Sequence, residues 1–256
     1  MNILDQYSDP IIFAHRGASA RAPENSIASF KLALEQHVDA IELDVKLTKD
    51  KEIVVIHDSQ VDRTTNGKGV VNRLTLDELK RLDAGSSFAP QFAGERIPTL
   101  KEVFDLVDKQ VLINVEMTNY DSPMDSLPYT VVSLVTSMGM EETVLLSSFN
   151  IFNLLITRRL LPQVPQALLA YKGICGWLAR SFLGRWITPG IIHPFKTDAT
   201  EEYIKQQHKI GRRVHAWIVN LPEEMERLYQ HGCDGIFTDD PLLARQVFTK
   251  CKGNVG

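Results

Sequence analysis

Ala40-Ile41-Glu42-Leu43-Asp44-Val45-Lys46-Leu47-Thr48 alternates apolar with polar residues, and a second β-rich run, Ile53-Val54-Val55-Ile56-His57-Asp58, begins shortly after it. In the first run Ile41, Leu43, Val45 and Leu47 share one face. Glu42, Asp44, Lys46 and Thr48 share the other, which is the two-residue period of a half-buried strand. The gap between the runs is too short for the crossover that a parallel neighbour needs, so they are expected to form an antiparallel hairpin. A turn at Asp50-Lys51 would set Asp44 opposite His57, with Cβ atoms about 5 Å apart. Two carboxylates and a histidine would then converge.

Upstream, Ile11-Ile12-Phe13-Ala14 is a short apolar strand that runs into His15-Arg16-Gly17. Pro23-Glu24-Asn25-Ser26 then precedes an amphipathic helix reaching about His37, with Asn25 or Ser26 as its N-cap. Downstream, residues 59–97 are rich in Gly, Thr, Asn and charge and contain one short helical pattern at 76–82, so they are expected to be an insertion. Gly67-Lys68-Gly69 within it is a turn signal, because the longer glycine pattern of a phosphate-cradling loop is missing. After Pro98, strand patterns at 111–117, 144–148, 167–170, 191–193, 214–218 and 235–238 alternate with helical patterns at 100–107, 129–138, 152–161, 200–209, 223–230 and 242–250. With the strands at 11–14 and 40–45 this makes eight βα units. The expected fold class is therefore α/β, a (β/α)8 TIM barrel spanning 1–256 as a single domain, with the insertion after the second strand hairpin. A doubly wound open sheet is the alternative, but the first strand-to-helix turn lacks the glycine fingerprint of such a nucleotide site.

Composition narrows the partners. The 256 residues carry a net charge of −4 with pI near 6.0, which offers no basic stripe for nucleic acid, so an anionic substrate must be held by local cations or a metal. Cys175, Cys233 and Cys251 have no ligand-like spacing and suit free thiols in a reducing compartment. Met1–Pro10 has no cationic start or apolar core of a signal segment, and no uncharged apolar run approaches the length of a membrane span. A soluble, cytoplasmic protein is expected; the oligomeric state is not legible.

A barrel collects its chemistry at the C-terminal ends of its strands. Those ends carry His15 and Arg16, Glu42 and Asp44, Glu116, Ser147 and Ser148, Lys172, His193, Trp217 and Asp239. Glu116 lies in the otherwise apolar Ile113-Asn114-Val115-Glu116, where both strand faces are covered. Glu42, Asp44 and Glu116, three acids on adjacent strands, describe a site for a hard divalent cation such as Mg2+ or Ca2+. His15 and His57 titrate near neutrality and suit general acid and base. Arg16 presents a planar fork for an anion, most simply a phosphoryl group. Trp217 either packs against a substrate's carbons or fills the barrel top.

His15-Arg16-Gly17, Pro23-Glu24-Asn25-Ser26, Glu42-Leu43-Asp44-Val45 with His57-Asp58, Asn114-Val115-Glu116, Ser147-Ser148-Phe149, Trp217-Ile218-Val219-Asn220 and Asp234-Gly235-Ile236-Phe237-Thr238-Asp239 occur in this order along nearly the whole chain. In this set the sequence resembles the glycerophosphodiester phosphodiesterases. The resemblance implies a divalent metal on Glu42, Asp44 and Glu116, acid–base chemistry at His15 and His57, and hydrolysis of a glycerophosphodiester to sn-glycerol 3-phosphate and an alcohol. Related barrel phospholipases suggest His15 as base and His57 as acid. Whether water or the glycerol 2-hydroxyl attacks is left open. One departure stands out: many family members have a lysine where this chain has Thr118, a residue expected to overlook the phosphate, and Lys172 or Lys196 would have to reach in from later loops. Trp177–Ile187, with its aromatic residues and two arginines, is expected to be a helix packed on the barrel; a lid touching lipid or membrane is the alternative. A lysophospholipase D or phospholipase C type of activity on lipids, and a non-catalytic binding barrel, are the competing functions.

Overall fold

The computed structural model describes Leu4, Tyr7, residues 9–188 and residues 190–253. The N-terminal stretch read above for a signal segment lies largely outside the described residues, as do the chain's last three residues. The parallel strands are β1 (Ile11–Ala14), β2 (Ala40–Leu47), β4 (Leu112–Met117), β5 (Val144–Ser148), β6 (Gln166–Ala170), β7 (Ile191–Pro194), β8 (Arg213–Ala216) and β9 (Gly235–Thr238). They pair in the order β1-β9-β8-β7-β6-β5-β4-β2, and β1 pairs back onto β2, so the sheet closes. This closure makes the fold a (β/α)8 barrel and removes the open-sheet alternative. The helices α1 (Ile27–Glu35), α2 (Leu76–Lys80), α3 (Leu100–Val107), α4 (Leu127–Ser137), α5 (Ile151–Leu160), α6 (Trp177–Arg180), α7 (Phe182–Ile187), α8 (Glu201–Lys209), α9 (Pro222–Gln230) and α10 (Pro241–Gly253) complete it.

The two strand faces have different partners. Ile41, Leu43, Val45 and Leu47 join the large apolar core between sheet and helices. The alternate positions point into the barrel, where Ile11, Ala40, Leu112, Leu145, Ala167 and Ile191 form an apolar floor with Phe13 and Phe237. Glu42, Asp44, Lys46 and Thr48 therefore do not face water: all four are buried. The expectation of a half-buried strand is corrected in that respect, because closing the sheet covers its second face.

The antiparallel β3 (Ile53–Val55) confirms the hairpin but shifts its register by one. Val45 pairs with Val55 and Leu47 with Ile53, and the Ile56 amide donates to the Asp44 carbonyl, so Ile56 rather than His57 lies opposite Asp44. The cause is the turn. Thr48 pairs with Glu52, the Thr48 hydroxyl bonds Asp50, and Lys51 takes the left-handed conformation at φ 69°. His57 accordingly leaves the strand and swings over the barrel mouth. Residues beyond it close a small apolar core of their own, with Val54, Ile56, Val61, Val71, Leu79 and Ile97.

Ser26, not Asn25, caps α1: its side chain accepts from the Ser29 amide, and Ser29 reciprocates. The preceding loop is tight. Gly17 sits at φ 83°, and a Cβ there would lie 2.3 Å from Ser29 Oγ and 2.8 Å from the Ser29 carbonyl carbon. Gly17→Ala is expected to lower stability by more than about 1 kcal/mol, since backbone conformation and space both exclude a side chain. A melting curve unchanged from the wild type would refute this account of the loop.

Candidate active site

One cavity at the C-terminal mouth of the barrel is lined by His15, Arg16, Glu42, Asp44, His57, Glu116, Phe149, Leu169, His193, Trp217, Ile218 and Phe237. His15, Arg16, Glu42, Asp44, His57, Glu116 and Trp217, the residues given a role from the sequence, all line it, whereas Ser147, Ser148, Lys172 and Asp239 do not. Asp44 on β2 is in direct register with Glu116 on β4, and one carboxylate oxygen each from Glu42, Asp44 and Glu116 lies within 4.8 Å of the others. Burial raises the Glu42 carboxyl well above its ordinary range, and the Asp44 and Glu116 charges add to this. Burial and the Asp44 charge likewise push Glu116 up to about 8. Two buried carboxyls, Glu42 and Glu116, whose ionisation is opposed by burial and by their acidic neighbours leave a strong demand for positive charge. Glu42 Oε1 is buried without a hydrogen-bond partner. The residues present fit a divalent cation: hard oxygen donors, no thiolate, and an unused buried carboxylate oxygen.

The surrounding loops hold these acids still. The Arg16 backbone, at φ 57°, directs its amide onto Glu42 Oε2 at 2.8 Å. Asn25, at φ 55°, donates from Nδ2 to Asp44 Oδ2 at 2.9 Å and accepts from the Asp44 amide. The Tyr120 hydroxyl donates to Glu116 Oε1 at 2.7 Å. These partners were not assigned from the sequence. The signal for Asn25 lies in the Pro23-Glu24-Asn25-Ser26 stretch, which serves as a helix cap and also as one of the motifs of the resemblance.

Each histidine is anchored through Nδ1 by a carboxylate. His15 Nδ1 lies 2.6 Å from Asp239 Oδ1, and Asp239 also accepts from Ser19 Oγ and Asn220 Nδ2. Burial opposes ionisation of Asp239, but the bonds from His15 and Asn220 outweigh it and hold the carboxyl below its usual range. His57 Nδ1 lies 2.7 Å from Asp58 Oδ1, while Arg63 Nε donates to Asp58 Oδ2 at 2.6 Å and keeps that carboxyl strongly acidic. An ionised carboxylate only accepts, so the ring proton is on Nδ1 in both residues and Nε2 is left for the cavity. The His57 side chain is 40% exposed and that of His15 13%.

Arg16 binds Glu24 through Nη1 at 2.9 Å and approaches Asp44 Oδ2 with Nε at 3.1 Å. Burial disfavours its charge, but Asp44, Glu24 and Glu42 raise its basicity overall. Arg63 forks onto the same Glu24 at 2.7 and 2.8 Å. Arg63 comes from the insertion, and nothing in its sequence context singled it out. Trp217 donates its indole N–H to the His193 carbonyl at 2.8 Å and stands edge-on to Phe149 and Phe195, which leaves its ring as cavity wall. Below it, His193 and His215 are buried 3.2 Å apart, and burial drives both well toward the neutral form.

Thr118 departs from expectation. It is fully buried just past the end of β4, its hydroxyl donates to the Val45 carbonyl at 3.1 Å, and it does not line the cavity. Lys172 lies over the Phe195 ring and Lys196 pairs with Glu224, so neither reaches in. The ammonium next to position 118 is that of Lys46, which binds the Thr118 carbonyl within the field of Asp44 and Glu116. A lysine at 118 would meet it. Thr118→Lys is expected to cost about 1–3 kcal/mol, and Lys46→Gln in the same chain to recover part of that, with a coupling of roughly 0.5–3 kcal/mol. Strictly additive effects in a double-mutant cycle would refute the shared position.

The family model described as the glycerophosphoryl diester phosphodiesterase family matches residues 15–243, which takes in every residue that lines the cavity. This chain belongs to that family. A glycerophosphodiester phosphodiesterase from Caldanaerobacter subterraneus is 43% identical over 232 residues, covering 90% of this chain and 94% of the relative. A putative glycerophosphodiester phosphodiesterase from Bacillus subtilis is 39% identical over 231 residues, with the same coverage. The crystal structure of an Oleispira antarctica phosphodiesterase in complex with the product sn-glycerol-3-phosphate is similar, with a TM-score of 0.85 and 28% identity over 97% of this chain and 100% of that one. The family makes this protein a phosphoric diester hydrolase, which removes the non-catalytic barrel from consideration. Among the described residues no helix is long and apolar enough to cross a membrane.

Proposed function

We propose that this phosphodiesterase hydrolyses small glycerophosphodiesters to sn-glycerol 3-phosphate and an alcohol, as a single barrel domain. The observation that carries the reading is the convergence of three carboxylates and two carboxylate-anchored histidines on one cavity. Glu42, Asp44 and Glu116 would hold a divalent cation, Mg2+ or Ca2+, which when bound supplies positive charge to the non-bridging phosphoryl oxygens. Arg16 is the cationic side chain lining the cavity, and it adds a hydrogen-bonding fork to the same anion.

The histidines divide the proton transfers. His15, deeper in the cavity and tied to Asp239, takes a proton at Nε2 from the attacking hydroxyl; the adjacent carboxylate stabilises the resulting imidazolium. His57, on the more exposed side, gives a proton from Nε2 to the departing alkoxide as the phosphorus–oxygen bond breaks. Trp217 and Phe149 offer apolar surface to the glycerol carbons. The test is to strip the enzyme of metal and assay a panel of glycerophosphodiesters by glycerol 3-phosphate release, adding back Mg2+, Ca2+ and Mn2+ separately. Product release that needs an added cation supports the reading, and full activity in the presence of excess chelator would overturn its metal.

A further inference from the structure

The three carboxylates of the cavity share one pattern of hydrogen bonding. The Arg16 amide donates to Glu42 Oε2 at 2.8 Å, Asn25 Nδ2 to Asp44 Oδ2 at 2.9 Å, and the Tyr120 hydroxyl to Glu116 Oε1 at 2.7 Å. Each acid thus has one oxygen held by a neutral donor. The other oxygen of each, Glu42 Oε1, Asp44 Oδ1 and Glu116 Oε2, accepts from no donor among the described residues, and Glu42 Oε1 is buried as well. A cation approaching a held oxygen would meet the partial positive charge of the donor's hydrogen, so each carboxylate is set to offer a single oxygen.

Arg16 and Asn25 belong to the loop after β1, whereas Tyr120 comes from the chain after β4. The Tyr120 amide bonds the Thr118 carbonyl in a tight turn, and the side chain reaches back to Glu116, four residues earlier. Further contacts hold the ring there. Its hydroxyl accepts from the Phe149 amide at 3.4 Å, it stands edge-on to Phe149 with centroids 5.9 Å apart, and the Lys46 ammonium lies 5.9 Å from its centroid. The side chain cannot leave Glu116 without losing these contacts too. Such confinement matters because ligand number separates the hard cations. Ca2+ takes about six to eight oxygens and readily chelates a carboxylate through both, whereas Mg2+ takes about six, binds carboxylates through few oxygens and keeps several waters. Three single oxygens therefore suit Mg2+ and undersupply Ca2+.

We infer that these three donors make the site select Mg2+ over Ca2+, and that Tyr120 is the positioning residue that confines Glu116 to one oxygen. The inference rests on the reading above that Glu42, Asp44 and Glu116 hold a divalent cation.

The test is calorimetric titration of the intact, metal-stripped protein with Mg2+ and, separately, with Ca2+, for the wild type and for Tyr120→Phe. The wild type is expected to bind Mg2+ the more tightly, a comparison that needs no variant. Phenylalanine keeps the ring and its packing but releases Glu116 Oε1. Mg2+ affinity should then fall by roughly tenfold or more, while Ca2+ affinity holds or rises because both oxygens of Glu116 can chelate it. A melting curve of the metal-free variant close to that of the wild type would show that it folds. Tighter binding of Ca2+ by the wild type, or a Tyr120→Phe protein in which the ratio of the two affinities is unchanged, would overturn the inference and leave the metal site standing. Binding of neither cation by the wild type would overturn the metal reading itself, and this inference with it.

Discussion

Replacing Glu42 by Gln is expected to lower turnover by on the order of 10²–10³-fold or more while raising the melting temperature of the metal-free protein. The two effects share one cause. Glu42, Asp44 and Glu116 stand within a few ångströms of one another in a buried site, and Glu42 and Glu116 ionise there only against burial and against their acidic neighbours. A metal ion turns that repulsion into attraction; without one, it is a cost of folding. Glutamine keeps the shape and the Arg16 amide's acceptor but removes the charge. If it relieves about 1 kcal/mol, the melting temperature should rise by roughly 2–4 °C in a chain of this size.

The pH dependence gives the same idea a second check. Glu116 holds its proton to about 8, above its value in an unfolded chain. Stability from that raised carboxyl is full below about 4.5 and is lost as the pH rises through about 8. The metal-free wild type should therefore melt lower at pH 9 than at pH 6, and saturating divalent cation should shrink the difference. A Glu42→Gln protein that melts below the wild type in chelator, with metal affinity unchanged, would dismiss the acid cluster as a metal site.

The second large effect concerns the histidines. His15→Ala and His57→Ala should each lower turnover by roughly 10²–10⁴-fold, and each should remove one limb of the pH–rate profile. The two are distinguishable by leaving group. A p-nitrophenolate departs without protonation, so His57→Ala should recover much of its rate on a p-nitrophenyl ester, and His15→Ala should not. Recovery in His15→Ala instead would exchange the roles. Asp58→Asn and Asp239→Asn, which leave each ring in place but remove the anchoring charge, are expected to reproduce a smaller part of the matching histidine loss.

Most of the barrel was legible because its strands and helices are short, periodic and locally encoded. The apolar runs 11–14, 144–148 and 235–238 appear as strands with those same limits, and Ile41, Leu43, Val45 and Leu47 pack under the helices as their alternation predicts. The charged residues of the site were visible for a related reason: a carboxylate inside an apolar strand, as at Glu116, conflicts with burial unless something compensates it. What escaped was whatever depended on a backbone turn or on chain brought from far away. The one-residue register shift that frees His57 follows from Lys51 adopting a left-handed conformation, which its residue type does not announce. Asn25 grips Asp44 because Arg16 and Asn25 themselves turn left-handed, and Arg63 reaches Glu24 and Asp58 out of an insertion with no periodicity. Alternation carried past the end of β4 would turn Thr118 toward the phosphate, whereas its amide and hydroxyl both bond the Val45 carbonyl on β2 and its own carbonyl accepts from Lys46. Which side chains alternate, which are charged and in what order they recur can be read along the chain, because those depend on neighbours a few residues away. Which carboxylate orients which histidine, and where the cations end up, is set by the folded barrel, because those contacts join residues as distant as His15 and Asp239, and closure of the sheet brings them within hydrogen-bonding distance.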